Sequence, residues 1–328
     1  MFRLSKRFLA LFLIITLALT ALGCSARPGS QKPPEENQAG AGDARQSAKG
    51  GYPLAVTDDL GRKVTFESRP ERIVSLSPSG TEILFALGLG PRVVGVDKFS
   101  DYPDEAAKVE KVGGFSDPSL EKIASLKPDL VVGVSIQQKF LDQFDKLNIP
   151  VVILAPKTVE GVLSDIKLIG EITDRREQAE RVAGQITGTL KDIGSKLGNL
   201  PENSRPRTYY EVYSDPIMSV GPKTLIHELI VLAGGDNIAR DADVEYPKLS
   251  PEAILKRNPQ VIIFPRFHGS ASLTADQLKS RPGWEGIEAI KAGRVYSIDA
   301  NLISRSGPRI AQAAQELARL IHPDRFPR

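Results

Sequence analysis

Apolar residues in this chain fall into two patterns: short unbroken bursts, and longer stretches where they recur every third or fourth position. Val56–Phe66 alternates around Gly61 and reads as two short strands joined by a turn. Ile73–Leu76 is a short apolar burst, Ser77–Gly80 a turn, and Thr81–Leu87 a helix that Gly88 and Gly90 end. Val93–Val96 is the next burst. Strand, helix and strand in that order make a βαβ unit with parallel strands. The following segment repeats the logic. Asp117 is placed to cap a helix with Pro118 at its first position, Pro128 stops it, and Leu130–Val134 reads as a buried strand.

Both pieces recur further along. "SLEKIASLKPDLVV" is echoed by "SPEAILKRNPQVII", so that Glu121, Ile123, Pro128 and Leu130 correspond to Glu252, Ile254, Pro259 and Val261. "TEILFALGLGPRVV" is echoed more weakly by "IHELIVLAGGDNIA". Two echoes in the same order predict two similarly built α/β lobes. Between them, Ala179, Val182, Ala183, Ile186, Leu190, Ile193 and Leu197 form one helical face, opened by a capping-box pattern at Asp174 and Glu177. Such a helix spans about 36 Å, comparable to a domain diameter, and would make a stiff connector.

The start of the chain follows a different rule. Arg3, Lys6 and Arg7 precede an uncharged apolar run from Phe8 to Leu22, short for a membrane span and of signal-peptide length. The only cysteine, Cys24, follows in "ALGC", which resembles the lipobox of bacterial lipoproteins. From Ser25 to Gly51 there is no Val, Ile, Leu, Met, Phe or Trp, so this stretch cannot build a core and reads as a tether. The expected organisation is a signal peptide at 1–23, a lipidated Cys24 and tether at 24–52, a lobe at 53–156, a helical segment at 157–204 and a second lobe at 205–328. The expected location is extracytoplasmic, with a lipid anchor in the membrane.

Charge changes the picture little. The chain has 43 Lys+Arg against 40 Asp+Glu, and the excess is Arg3, Lys6 and Arg7, so the body is formally neutral. No basic stripe with interleaved aromatics points to nucleic acid. Three scattered histidines do not make a metal site. His227 lies on an apolar helix and reads as structural, His322 reads as solvated, and Trp284 reads as core. His268 follows an apolar strand, where a loop can face a cleft; it is either an axial ligand to a bound metal centre or an ordinary loop residue. Ser77 and Ser79 sit in a turn that can offer backbone N–H groups to a ligand, but no histidine or acid pairs with either. A hydrolase, the distant alternative, needs a nucleophile, base and orienting group, and no motif here supplies them. No catalytic residue and no resident cofactor is expected.

Several segments carry a family resemblance: "RIVSLSPSGTEILFALGLGPRVVGV", "SDYPDEAAKVEKVGGFSDPSLEKIASLKPDLVV", "LIVLAGGDNIA", "YPKLSPEAILKRNPQVII" and "RPGWEGIEAIKAGRVYSID". Together they resemble the substrate-binding proteins of ABC importers for cobalamin, haem and ferric siderophores, from Val56 to the C-terminus. The resemblance implies two Rossmann-like lobes bridged by one long helix, with ligand held between them. It also implies a monomer that delivers its ligand to a permease with its ATPase. "SDYP", "GGFSDPSLEKI", "VEYPKLSPEAIL" and "SRSGPRI" are most similar to the cobalamin-binding members. That similarity places Phe99, Phe115, Tyr246 and Arg305 in the cleft, with Tyr213 and Met218 nearby, and Glu121 and Glu252 on the lobe tops against permease arginines. Those members carry tryptophan where this chain has Phe115, Tyr246 and Val134, which leaves a smaller stacking surface. A corrinoid is the implied ligand, with haem or a ferric siderophore as the alternative.

Overall fold

The computed structural model describes residues 51–266 and 273–327. The signal-like segment, Cys24 and His268 lie outside the described residues. Tyr52, assigned above to the tether, is part of the folded body: its hydroxyl donates to the Ile172 carbonyl at 2.6 Å.

The chain opens with an antiparallel hairpin of β1 (Leu54–Thr57) and β2 (Lys63–Phe66). Its turn holds Gly61 at a φ of 75°, and the Asp58 carboxylate accepts from Leu60 N and Arg62 N. The first lobe then runs β3 (Ile73–Ser75), α1 (Pro78–Ala86), β4 (Val93–Val96), α2 (Leu120–Ser125), β5 (Leu130–Val134), α3 (Leu141–Lys146) and β6 (Val151–Leu154). Its four strands pair in parallel in the order β4-β3-β5-β6. Two helices follow, α4 (Val159–Ile172) and α5 (Arg176–Leu197).

The second lobe contains β7 (Arg207–Tyr210), the small hairpin β8 (Tyr213–Ser214) and β9 (Ile217–Met218), α6 (Leu225–Leu232), β10 (Asp236–Asn237), α7 (Pro251–Arg257) and β11 (Val261–Arg266). It continues with α8 (Ala275–Lys279), α9 (Glu288–Lys291), β12 (Val295–Asp299), α10 (Ala300–Ile303) and α11 (Ile310–Ile321). Its parallel sheet has the order β10-β7-β11-β12. If β3, β4, β5 and β6 are set against β7, β10, β11 and β12, the two orders coincide. The short strands are nearly all buried, as parallel strands covered on both faces must be.

Helix α5 is unbroken over 22 residues, about 33 Å. Ala179, Ala183, Ile186, Ile193 and Leu197 are buried and Val182 and Leu190 partly so, as the periodicity predicts. One apolar cluster runs from Ile83 and Leu84 of α1 through α5 to Leu229 of α6 and Leu317 of α11. The core is therefore shared along the connector.

Helix starts differ from the expectations. Helix α1 begins at Pro78, because Ser77 Oγ accepts from Gly80 N at 3.1 Å; Ser79 is thus in the first helical turn. Helix α2 is capped by Ser119, not Asp117; Pro118 bridges Gly113 in a loop ahead of it. Asp174 does not cap α5. The turn from α4 is too tight, with Arg175 N donating to Gly170 O at 2.6 Å and Asp174 at a φ of 56°.

Asp165 on α4 is buried, and its Oδ2 has no hydrogen-bond partner among the described residues. Burial, reinforced by the neighbouring Asp59 carboxylate, pushes the Asp165 carboxyl up to about 8. In an unfolded chain it titrates near pH ~4. The native state therefore holds an extra proton between those values. Stability falls as pH rises through this window, and the deficit is complete above the folded value. Asp165→Asn should exceed wild type by on the order of 5 kcal/mol at about pH 9 and converge with it near pH ~4, as read by urea unfolding.

Candidate ligand-binding cleft

Parallel α/β sheets leave their carboxyl ends open, and loops from those ends line crevices. Here Val134 and Leu154 end β5 and β6, Pro78 and Ser79 follow β3, and Asn301 follows β12. All of them line one cavity of about 630 Å³ between the lobes. The same cavity takes in Ser79, Phe99, Phe115, Tyr246 and Arg305, five of the residues expected at a ligand site. Tyr213 and Met218 pair with each other across the β8–β9 hairpin and are not among its lining residues.

Phe99 and Phe115 are each held from behind through their backbone. Phe99 is 51% exposed, and its N–H donates to Asp97 Oδ2 at 2.9 Å. Asp97 is buried and also accepts from Ser100 Oγ, which meets Thr81 Oγ1 of α1 at 2.8 Å. Burial raises the Asp97 carboxyl above its usual range, against the pull of those hydrogen bonds. Phe115 is half-buried; its carbonyl accepts from Gln137 Nε2, whose Oε1 accepts from Val134 N at 2.7 Å. Tyr246 stands on a loop of the second lobe and is 46% exposed; partial burial and the adjacent Glu245 raise its phenol.

Arg305 is placed in the cleft as expected, but its guanidinium is already committed. Nη1 reaches Glu82 Oε1 at 3.1 Å and Asp101 Oδ1 at 2.8 Å, and Nη2 donates to Phe99 O at 3.3 Å. Glu82, buried on α1, also holds Arg309 through bonds of 2.6 and 2.9 Å, and Arg309 lies 4.0 Å from the centre of the Tyr102 ring. This node ties the first lobe to the segment before α11. Sequence reading missed Glu82, and no local signal marks it. It also missed Lys157 and Glu245, which line the cleft and form an ion pair across it.

Glu121 and Glu252 are exposed in the first turns of the equivalent helices α2 and α7. His227 accepts at Nδ1 from Asn237 Nδ2 at 2.9 Å, and burial lowers its pKa. His322 is not solvated: it is half-buried, donates from Nε2 to Gly234 O at 3.1 Å, and burial lowers its pKa. Trp284 is in the core, 6.2 Å from Tyr209 in an edge-on arrangement. Among the described residues no three His, Cys, Asp or Glu side chains converge as a metal cage requires. A larger cavity, about 900 Å³, opens between α1, α5 and the start of α11. It shares no lining residue with the interlobe cleft and takes nothing from the strand ends, so size does not make it the better candidate.

Comparison with known proteins bears on the family and the fold. A sequence model of the periplasmic binding protein family matches residues 73–302. The uncharacterized ABC transporter substrate-binding lipoprotein YvrC of Bacillus subtilis (strain 168) is 35% identical over 281 residues, 84% of this chain and 87% of YvrC. The vitamin B12-binding protein of Pectobacterium carotovorum subsp. carotovorum (strain PC1) is 32% identical over 253 residues, 76% of this chain and 87% of that protein. The periplasmic heme-binding protein RhuT from Roseiflexus sp. RS-1, solved in apo form, matches with a TM-score of 0.67 at 29% identity, covering 78% of this chain and 99% of RhuT.

Removing Glu82 leaves the buried Arg305 guanidinium with the exposed Asp101 carboxylate alone beside it and takes a bidentate counter-ion from the partly buried Arg309. Glu82→Ala should cost about 3 kcal/mol in chemical denaturation, because a buried charge that loses its main partner is far costlier than the intact pair. A loss below about 1 kcal/mol would mean that solvent reaches the node.

Proposed function

The chain belongs to the periplasmic binding protein family, and from that premise we propose that it is the substrate-binding lipoprotein of an ABC importer, capturing a corrinoid between its lobes. The reading assigns lipidation to Cys24, a location outside the cytoplasm at the membrane, and delivery by a monomer to a permease. The names carried by YvrC and by the Pectobacterium protein support the transport role and the corrinoid respectively.

One observation of the cleft favours a corrinoid over haem. Among its described lining residues the charged ones are Lys157, Glu245 and Arg305, and each is ion-paired within the protein. Phe99, Phe115 and Tyr246 bring aromatic surface from both lobes. A corrin is a wide ring with an amide fringe; it suits aromatic walls and the neutral donors of Ser79, Asn301 and Ser304. Haem carboxylates or an anionic ferric siderophore would need cations that are free to bind them.

Delivery needs a docking surface outside the cleft. Glu121 and Glu252, exposed at equivalent helix starts, suit a permease with two-fold symmetry. Reversing both, Glu121→Lys with Glu252→Lys, should abolish uptake in cells while leaving ligand affinity intact. Uptake that survives the double reversal would remove these residues from the interface.

Titration of the purified body with cyanocobalamin should give saturable binding at micromolar concentration or tighter, and Tyr246→Ala should weaken it about tenfold. Absorbance of the protein mixed with haem provides the contrasting arm. A shifted haem spectrum with no cyanocobalamin binding would replace the corrinoid by haem and leave the transport role standing.

A further inference from the structure

We infer that Glu245 sets the charge class of ligand the cleft accepts, by holding the Lys157 ammonium in an internal ion pair on the cleft wall. The inference rests on reading this cavity as the ligand site.

The two partners come from opposite lobes, and both stand on fixed backbone. Lys157 follows β6, between Ala155, whose N–H donates to Asp59 Oδ2 at 2.6 Å, and Thr158, whose Oγ1 caps α4 by accepting from Gly161 N at 3.0 Å. Glu245 sits on the loop that carries Tyr246. Gly221 N donates to Glu245 O at 2.7 Å and Ser219 N to Pro247 O at 3.0 Å, while Met218 bridges Lys248. Gly221 has to be glycine here, since a Cβ would collide with the Val244 carbonyl oxygen. The loop therefore presents Glu245 to Lys157 in a set position, and only the two side-chain ends are free to part.

The two cleft cations differ in what they can offer a ligand. Arg305 is buried, and two carboxylates and a carbonyl already lie on its guanidinium, so its positive charge is offset within the protein. The Lys157 side chain is 66% exposed and the Glu245 side chain 39%, so their pair is solvent-screened and can be broken. A ligand carboxylate entering the cleft competes for Lys157 against Glu245, which is present at the high effective concentration of an intramolecular partner. If it succeeds, it leaves Glu245 unpaired beside its own negative charge. A ligand without acidic groups meets neither penalty. Glu245 thus acts as a built-in competitor, discriminating by the repulsive element it retains.

The test compares wild type, Glu245→Gln and Lys157→Gln, titrated with protoporphyrin IX (a flat dianion) by fluorescence and with cyanocobalamin by absorbance. Glu245→Gln should tighten porphyrin binding about three- to fivefold, the scale of an exposed ion pair, and about 0.5 M salt should erase the gain. Lys157→Gln should shift porphyrin affinity the opposite way. Unchanged porphyrin affinity in Glu245→Gln, a shift of the same sign in both variants, or no porphyrin binding by any of the three overturns the inference. The variants replace exposed side chains, and matching thermal melts confirm that they fold. If wild type fails to bind cyanocobalamin, the corrinoid reading falls, while the porphyrin ranking still decides the role of Glu245.

Discussion

The cleft depends on one buried carboxylate. Glu82 lies inside α1 of the first lobe and takes hydrogen bonds from Arg305 and Arg309, more than two hundred residues later in the chain. Holding these charges together is tolerable because further partners surround the guanidiniums: Asp101, the Phe99 carbonyl and the Tyr102 ring. The same contacts that satisfy the charges fix where Phe99 stands. Ion pairing, lobe attachment and the position of a cleft aromatic are therefore one structural fact, and a change in any of them disturbs the others.

Around this node the topology does the rest. Both sheets have the same strand order, so both bring their carboxyl ends to a crevice, and the residues that end or follow β3, β5, β6 and β12 line it. Backbone groups at strand ends are not consumed by ladder bonds, so side chains and turns must satisfy them. Asp97, Gln137 and Ser77 do so, and each thereby steadies a lining residue. Phe99 and Phe115 are thus anchored at the backbone by the same side chains that cap the sheet ends.

Much of this was legible in the sequence, for a physical reason. Strands and the α5 face depend on local periodicity, and the buried residues of α5 are those that the three- and four-residue spacing marks. The repeat of "SLEKIASLKPDLVV" in "SPEAILKRNPQVII" corresponds to α2–β5 and α7–β11, at equivalent places in two sheets of one order. Helix starts were harder. Asp117 and Ser119 are both good caps, and the loop pairing of Gly113 with Pro118 decides between them from outside the helix. The family resemblance named Phe99, Phe115, Tyr246 and Arg305, and they share one cavity. It could not show that Arg305 is committed to Glu82, nor that Lys157 meets Glu245, since both pairings link distant segments with no local signature.

How the lobes hold a ligand follows from what joins them. A thin hinge would let the cleft close far and build its contacts on binding. Here the connector is one unbroken helix whose apolar face belongs to a core running from α1 to α11, and the Glu82 node adds a second tie. Wide closure would have to pull packed side chains apart and expose buried charges, which costs more than a modest ligand contact returns. On the proposed reading, recognition then draws chiefly on surfaces already in place, and a preformed cleft loses little entropy on binding. The exposed Lys157–Glu245 pair is then the part of the wall that can yield at low cost, and the discrimination a rigid cleft cannot obtain by closing is obtained there by charge.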